Sequence, residues 1–88
     1  MNEMDAVVAR HLARLVNLEG GIANVEFDAD LFADYGLSSL NMVLLITSVC
    51  NETDTPLMHF TEEDIAGLRT VRGIADLVSA VARAGVPR

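Results

Sequence analysis

Apolar residues fall into blocks whose periods differ along the chain. Met4, Val8, Leu12 and Leu15 recur at helical spacing, with Arg10 and Arg14 on another face. Residues 4 to 18 are therefore expected to form a first helix, ended by Gly20-Gly21. A second block, Leu40 to Asn51, is apolar nearly all round. Its β-branched residues Val43, Ile46, Thr47 and Val49 would suit a buried strand, but the lack of alternation and of a partner strand favours a helix. Such a helix is either buried on all sides or reserves an apolar face for partners. In Phe60-Thr61-Glu62-Glu63-Asp64-Ile65, Thr61 can cap a helix with Asp64 three residues on, and Phe60 and Ile65 take the hydrophobic-staple positions. Gly67 should keep this third helix short. Thr70 opens a fourth, with Ile74, Leu77, Val78 and Val81 on one face and Gly85 and Pro87 after its end. The expected fold is an all-α four-helix bundle with a long first loop and a short third helix, one domain spanning residues 1–88.

Residues 19 to 38 make a long connection for a compact domain, and such loops usually serve a function or hold a further turn of structure. Leu31, Phe32 and Tyr35 are expected to fasten it to the core. It closes on Asp34-Tyr35-Gly36-Leu37-Ser38-Ser39-Leu40, a turn glycine followed by two serines at the mouth of the second helix. Capping alone accounts for a serine there. The two serines can also divide the work, with Ser38 capping and Ser39, one residue inside, directing its hydroxyl outward. Unpaired backbone N–H groups and the helix dipole at that point favour a phosphate group.

Composition narrows the partners. A 51% apolar fraction over 88 residues suits a folded domain with one core. The net charge is −7, from thirteen acids and six arginines with no lysine. No cation lies between Arg14 and Arg69, an interval that contains Glu19, Glu26, Asp28, Asp30, Asp34, Glu52, Asp54, Glu62, Glu63 and Asp64. That surface repels nucleic acid and anionic membranes, and basic patches on other proteins complement it. Cys50, the only cysteine, cannot make an internal disulfide and suits a small buried apolar position. The N-terminus does not resemble a signal peptide, and the longest apolar run is too short to span a bilayer. A cytoplasmic monomer is expected; Met1 suits a free-standing chain but equally a piece cut from a larger enzyme and given a start codon. His11 and His59 belong to no triad motif and, with one cysteine, make no metal-site spacing. Asp28-Ala29-Asp30 and Asp34 lack the calcium-loop pattern, and Glu62-Glu63-Asp64 suits the positive end of a helix dipole.

With these helices in place, the chain resembles the acyl and peptidyl carrier family of phosphopantetheine-dependent carriers over nearly its whole length. Asp30-Leu31-Phe32-Ala33-Asp34-Tyr35-Gly36-Leu37-Ser38-Ser39-Leu40 is similar to the family's anchored acidic loop and its Gly-x-Asp-Ser-Leu attachment motif. Leu68-Arg69-Thr70-Val71-Arg72-Gly73-Ile74-Ala75-Asp76-Leu77 resembles the segment leading into the family's last helix. The resemblance implies that Ser39, followed by Leu40, receives a 4′-phosphopantetheine arm from coenzyme A through a separate phosphopantetheinyl transferase. The arm's thiol would hold an acyl or aminoacyl group as a thioester, and the chain itself would catalyse nothing. Its partners would be the transferase, an acyl- or aminoacyl-loading enzyme, and downstream synthase or tailoring enzymes.

Two departures from the family pattern stand out. Ser38 occupies the position where the family often has aspartate, which admits a rival attachment serine. The second helix contains no acid, and Leu44 falls where fatty-acid carriers typically have glutamate. This points to a discrete carrier of a specialised polyketide, nonribosomal-peptide or aminoacyl pathway. Candidate docking residues around the arm are Asp34, Leu37, Ser38, Leu40, Met42 and Leu44. Helical spacing leaves Met42 and Leu44 open between docking and core, while Val43, Ile46, Val49 and Cys50 are expected to be core. A contrasting reading is a small acidic helical adaptor that never receives a cofactor.

Overall fold

The computed structural model describes residues 3–84, apart from the side chains of His59, Arg83 and Ala84. Four α-helices occur in this span: α1 (Glu3–Leu15), α2 (Ser39–Thr53), α3 (Glu62–Ala66) and α4 (Val71–Ala84). Short 3-10 turns lie at Gly21–Asn24 and Leu57–His59, and no strand occurs among the described residues. The all-α bundle with a long first loop and a short third helix is therefore observed. The expected stop at Gly85 and Pro87 lies outside the described residues.

Helix α1 packs against both α2 and α4. Its Val8 and Leu12, with Leu45, Ile46 and Val49 of α2 and Val71, Ile74 and Val78 of α4, form one hydrophobic cluster. Helix α1 ends earlier than the apolar spacing implied. Asn17 takes a left-handed conformation (φ 53°), Leu18 N–H bonds Ala13 O at 2.8 Å, and Asn17 N–H bonds Arg14 O at 3.3 Å. Those two bonds satisfy the carbonyls of Ala13 and Arg14 in the last turn, so the stop is set at Asn17 and not at the following glycines. Leu15 consequently lies at the rim, 36% exposed, instead of on the core face.

The long loop is anchored at both backbone and side chains. Leu31 is fully buried, with Phe32 and Tyr35 partly buried against the same cluster; a side chain like Leu31 contributes about 1.5–3 kcal/mol. Leu31 N–H donates to Arg69 O (2.6 Å), and Arg72 N–H donates to Phe27 O (3.1 Å). Two acids of the loop then take the arginines beside those bonds. Arg69 Nε donates to Asp30 Oδ2 at 2.8 Å, and Arg72 holds Asp28 through Nε (2.7 Å) and Nη2 (3.3 Å). Each guanidinium also lies over a loop aromatic, Arg69 at 5.4 Å from the Phe32 ring centre and Arg72 at 5.9 Å from that of Phe27. The loop is thus clasped to the start of α4 and delivers Ser38 to a fixed place.

Hydrogen bonds lower three carboxyl pKa values below the usual range: that of Asp28 through Arg72, that of Asp30 through Ala33 N–H and Arg69, and that of Glu52 through Arg10 and His11. Groups with depressed native pKa values stabilise the fold above the unfolded carboxylate range and lose that contribution as pH falls through the native values. The thermal midpoint should therefore change little from neutrality to about pH 5 and fall below about pH 4. Asp30→Asn should flatten that acid limb; an unchanged limb would show that the clasp does not stabilise the loop.

Candidate functional site

Helix α2 starts with a closed capping box. Ser38 is the N-cap residue, with extended backbone (φ −93°, ψ 171°). Its Oγ accepts from Asn41 N–H at 3.1 Å, and its own N–H donates to Asn41 Oδ1 at 3.1 Å. The Ser38 hydroxyl also lies 3.1 Å from Asn41 Oδ1 and can donate to it. Leu37 and Met42 occupy the staple positions on either side of this box, and both are buried, at 6% and 2% exposure. Gly36, left-handed at φ 69°, supplies the turn that brings Leu37 inward.

Ser39 is the first helical residue and is exposed. It takes no part in the capping box, and no hydrogen bond holds its hydroxyl among the described residues. Ser38 Oγ satisfies Asn41 N–H, and Met42 N–H bonds Ser38 O at 3.0 Å. The N–H groups of Ser39 and Leu40 are the ones left facing outward at the positive end of a fifteen-residue helix. Beside the hydroxyl opens a groove of about 400 Å³ lined by Phe32, Ser39, Met42, Val43, Glu62, Ile65 and Ala66. It lies between the loop, α2 and α3. A phosphodiester on Ser39 Oγ would meet solvent, free N–H donors and an open hollow, so these residues fit such a group.

The expected docking residues separate into two sets. Leu40 (67% exposed) and Leu44 (47%) are on the outer face of α2, and Asp34 is exposed, with its Oδ2 accepting Asp30 N–H at 2.9 Å. Ser38 is exposed, but the cap engages its hydroxyl. Leu37 and Met42 are corrected from docking residues to core, because the staple turns both inward. Val43 is corrected in the opposite sense, from core to surface, at 43% exposure. The buried stripe of α2 is Met42, Leu45, Ile46, Val49 and Cys50, one helical face, which leaves Leu40, Val43 and Leu44 adjacent on the other. Spacing from Ser39 could have found Val43 four residues on; Phe32, Glu62 and Ile65 reach the groove only through tertiary packing.

Asp28 and Asp30, which lack the calcium-loop pattern, are paired with arginines. Among the described residues no group of three His, Cys, Asp or Glu side chains is placed to hold a metal ion, and no helix is long and apolar enough to cross a membrane. A family model described as "Phosphopantetheine attachment site" matches residues 6–78. No curated protein matches the chain.

Replacing Ser38 by alanine removes the box but leaves the neighbouring hydroxyl in place. The expected cost is about 0.5–2 kcal/mol in denaturant unfolding. No loss at all would mean that the box does not set the start of α2.

Proposed function

The chain belongs to the phosphopantetheine attachment-site family, and from that premise we propose that Ser39 is the residue that takes the 4′-phosphopantetheine arm. The family is defined by covalent attachment of this group. The observation that carries the assignment is the contrast between the two serines: the Ser38 hydroxyl is engaged by Asn41, whereas that of Ser39 is exposed and unbonded beside the groove. Only Ser39 combines an accessible oxygen with adjacent free N–H groups, which favour a phosphate ester. Where the family pattern often has aspartate, Ser38 serves the same capping purpose, since both residue types cap well. When bound, the arm supplies a thiol that holds an acyl or aminoacyl group as a thioester.

The chain's own residues then present that thiol to other proteins. In this reading it is a carrier and a substrate, not a catalyst. Its partners are a phosphopantetheinyl transferase, a loading enzyme, and synthase or tailoring enzymes of a polyketide, nonribosomal-peptide or related pathway. Leu40, Val43 and Leu44 form a small apolar anchor, and α2 contributes no charge to it. Asp34 before α2 and Glu62 and Glu63 of α3 are exposed, as is Asp54 at the far end of α2, and neither α2 nor α3 carries a lysine or arginine. With no acid between Ser39 and Asn51, and with Glu52 near the far end of α2 engaged by Arg10 and His11, the chain suits partners that bind through an apolar hollow with a basic rim. That feature favours a specialised pathway over fatty-acid housekeeping.

Incubation of the apo chain with coenzyme A, Mg²⁺ and a broad-specificity phosphopantetheinyl transferase should add one phosphopantetheine to the intact mass. Ser39→Ala should abolish the gain. An unchanged wild-type mass with a competent transferase would favour the cofactor-free adaptor.

Leu44→Glu should leave stability within about 0.5 kcal/mol, as expected of an exposed site. It should also lower kcat/KM for the transferase or a loading enzyme by about 5- to 30-fold. Unchanged kinetics with every partner tried would remove Leu44 from the docking face.

A further inference from the structure

The groove beside Ser39 has one charged lining residue. Phe32, Met42, Val43, Ile65 and Ala66 make its walls apolar, and Glu62, the first residue of α3, is the exception. Glu62 is exposed and has no hydrogen-bond or ion-pair partner among the described residues. The arginines of the loop clasp are committed elsewhere, Arg69 to Asp30 and Arg72 to Asp28. Asp64 is closed into the cap of α3, exchanging bonds with Thr61 at 3.0 Å. Glu62 is thus a carboxylate held by no side-chain partner, favoured only by the start of the short α3, at an apolar hollow of about 400 Å³, within the size range of small-ligand sites.

We propose that Glu62 makes this groove selective for an aminoacyl thioester, whose free ammonium it attracts, over an acyl group that ends in a carboxylate. The inference rests on Ser39 being the attachment residue and deepens that reading by naming a cargo class. Apolar walls take the methylenes of the cargo and lower the dielectric near the carboxylate, so the attraction exceeds that between two fully solvated charges. A second carboxylate in the same hollow meets like charge without a compensating cation, and discrimination arises from the repulsion as much as from the attraction. Because Glu62 is exposed, the effect is modest and sensitive to salt.

The test uses the full chain loaded on Ser39 from alanyl-, propionyl- and malonyl-coenzyme A by a promiscuous transferase, with intact mass confirming each adduct. Backbone amide shifts of Val43, Ile65 and Ala66, relative to the unacylated holo form, report groove occupancy. The alanyl form should shift these amides, and Glu62→Gln should reduce its occupancy by about two- to fivefold. The propionyl form should be indifferent to the substitution, and the malonyl form should move these amides only in Glu62→Gln. Equal shifts for all three cargoes in the wild type, or no change on Glu62→Gln, would overturn the role of Glu62. A chain that gains no mass at Ser39 would instead remove the attachment assignment, and this inference with it.

Discussion

The reciprocal hydrogen bonds between Ser38 and Asn41 set the register on which the site depends. A capping box fixes which residue is the last outside the helix and which is the first inside. With Ser38 outside, Ser39 becomes the first helical residue, and every later side chain of α2 acquires its direction. Met42, Leu45, Ile46, Val49 and Cys50 go inward, and Leu40, Val43 and Leu44 go outward. One residue of slip would turn this face by about 100°, exposing part of the core stripe and burying part of the docking face.

The box could not hold that register if the loop leading to it were loose. Leu31 in the core, the backbone bonds to residues 69 and 72, and the acid–arginine pairs hold the loop against α4. The pairs are exposed, so the buried leucine and backbone bonds supply most of the anchoring, while the charges orient it. The same pairs have an electrostatic consequence for function. Engaged in this way, Arg69 and Arg72 are not free to pair with Glu62 and Glu63 of α3, which have no side-chain partner among the described residues.

Much of this was legible in the sequence where local chemistry decides. Thr61 and Asp64 form the expected capping box at α3, and Ser38 caps α2 with Ser39 exposed beside it. Leu31, Phe32 and Tyr35 pack as the loop's fasteners. The phase of α2 was not legible from its hydrophobic pattern, because a run apolar on all sides has no polar face to mark the outside. That ambiguity left Met42 open between docking and core and misplaced Val43. Leu37 and Met42 nevertheless carried a signal, since apolar residues flanking a Ser-x-x-Asn box at these positions form a staple. The end of α1 was misread because Gly20-Gly21 is the louder signal, although asparagine also tolerates the left-handed turn that stops the helix at Asn17. The groove's far wall, from Phe32 to Glu62 and Ile65, depends on contacts distant in sequence.

The central claim is that the cap sequesters one serine hydroxyl and frees the next. Fragment-ion mass spectrometry of the transferase-treated wild-type chain tests it most directly, on a peptide spanning residues 38 and 39. The account predicts fragments that place the whole added mass on Ser39, with Ser38 unmodified. Added mass on Ser38 would contradict it.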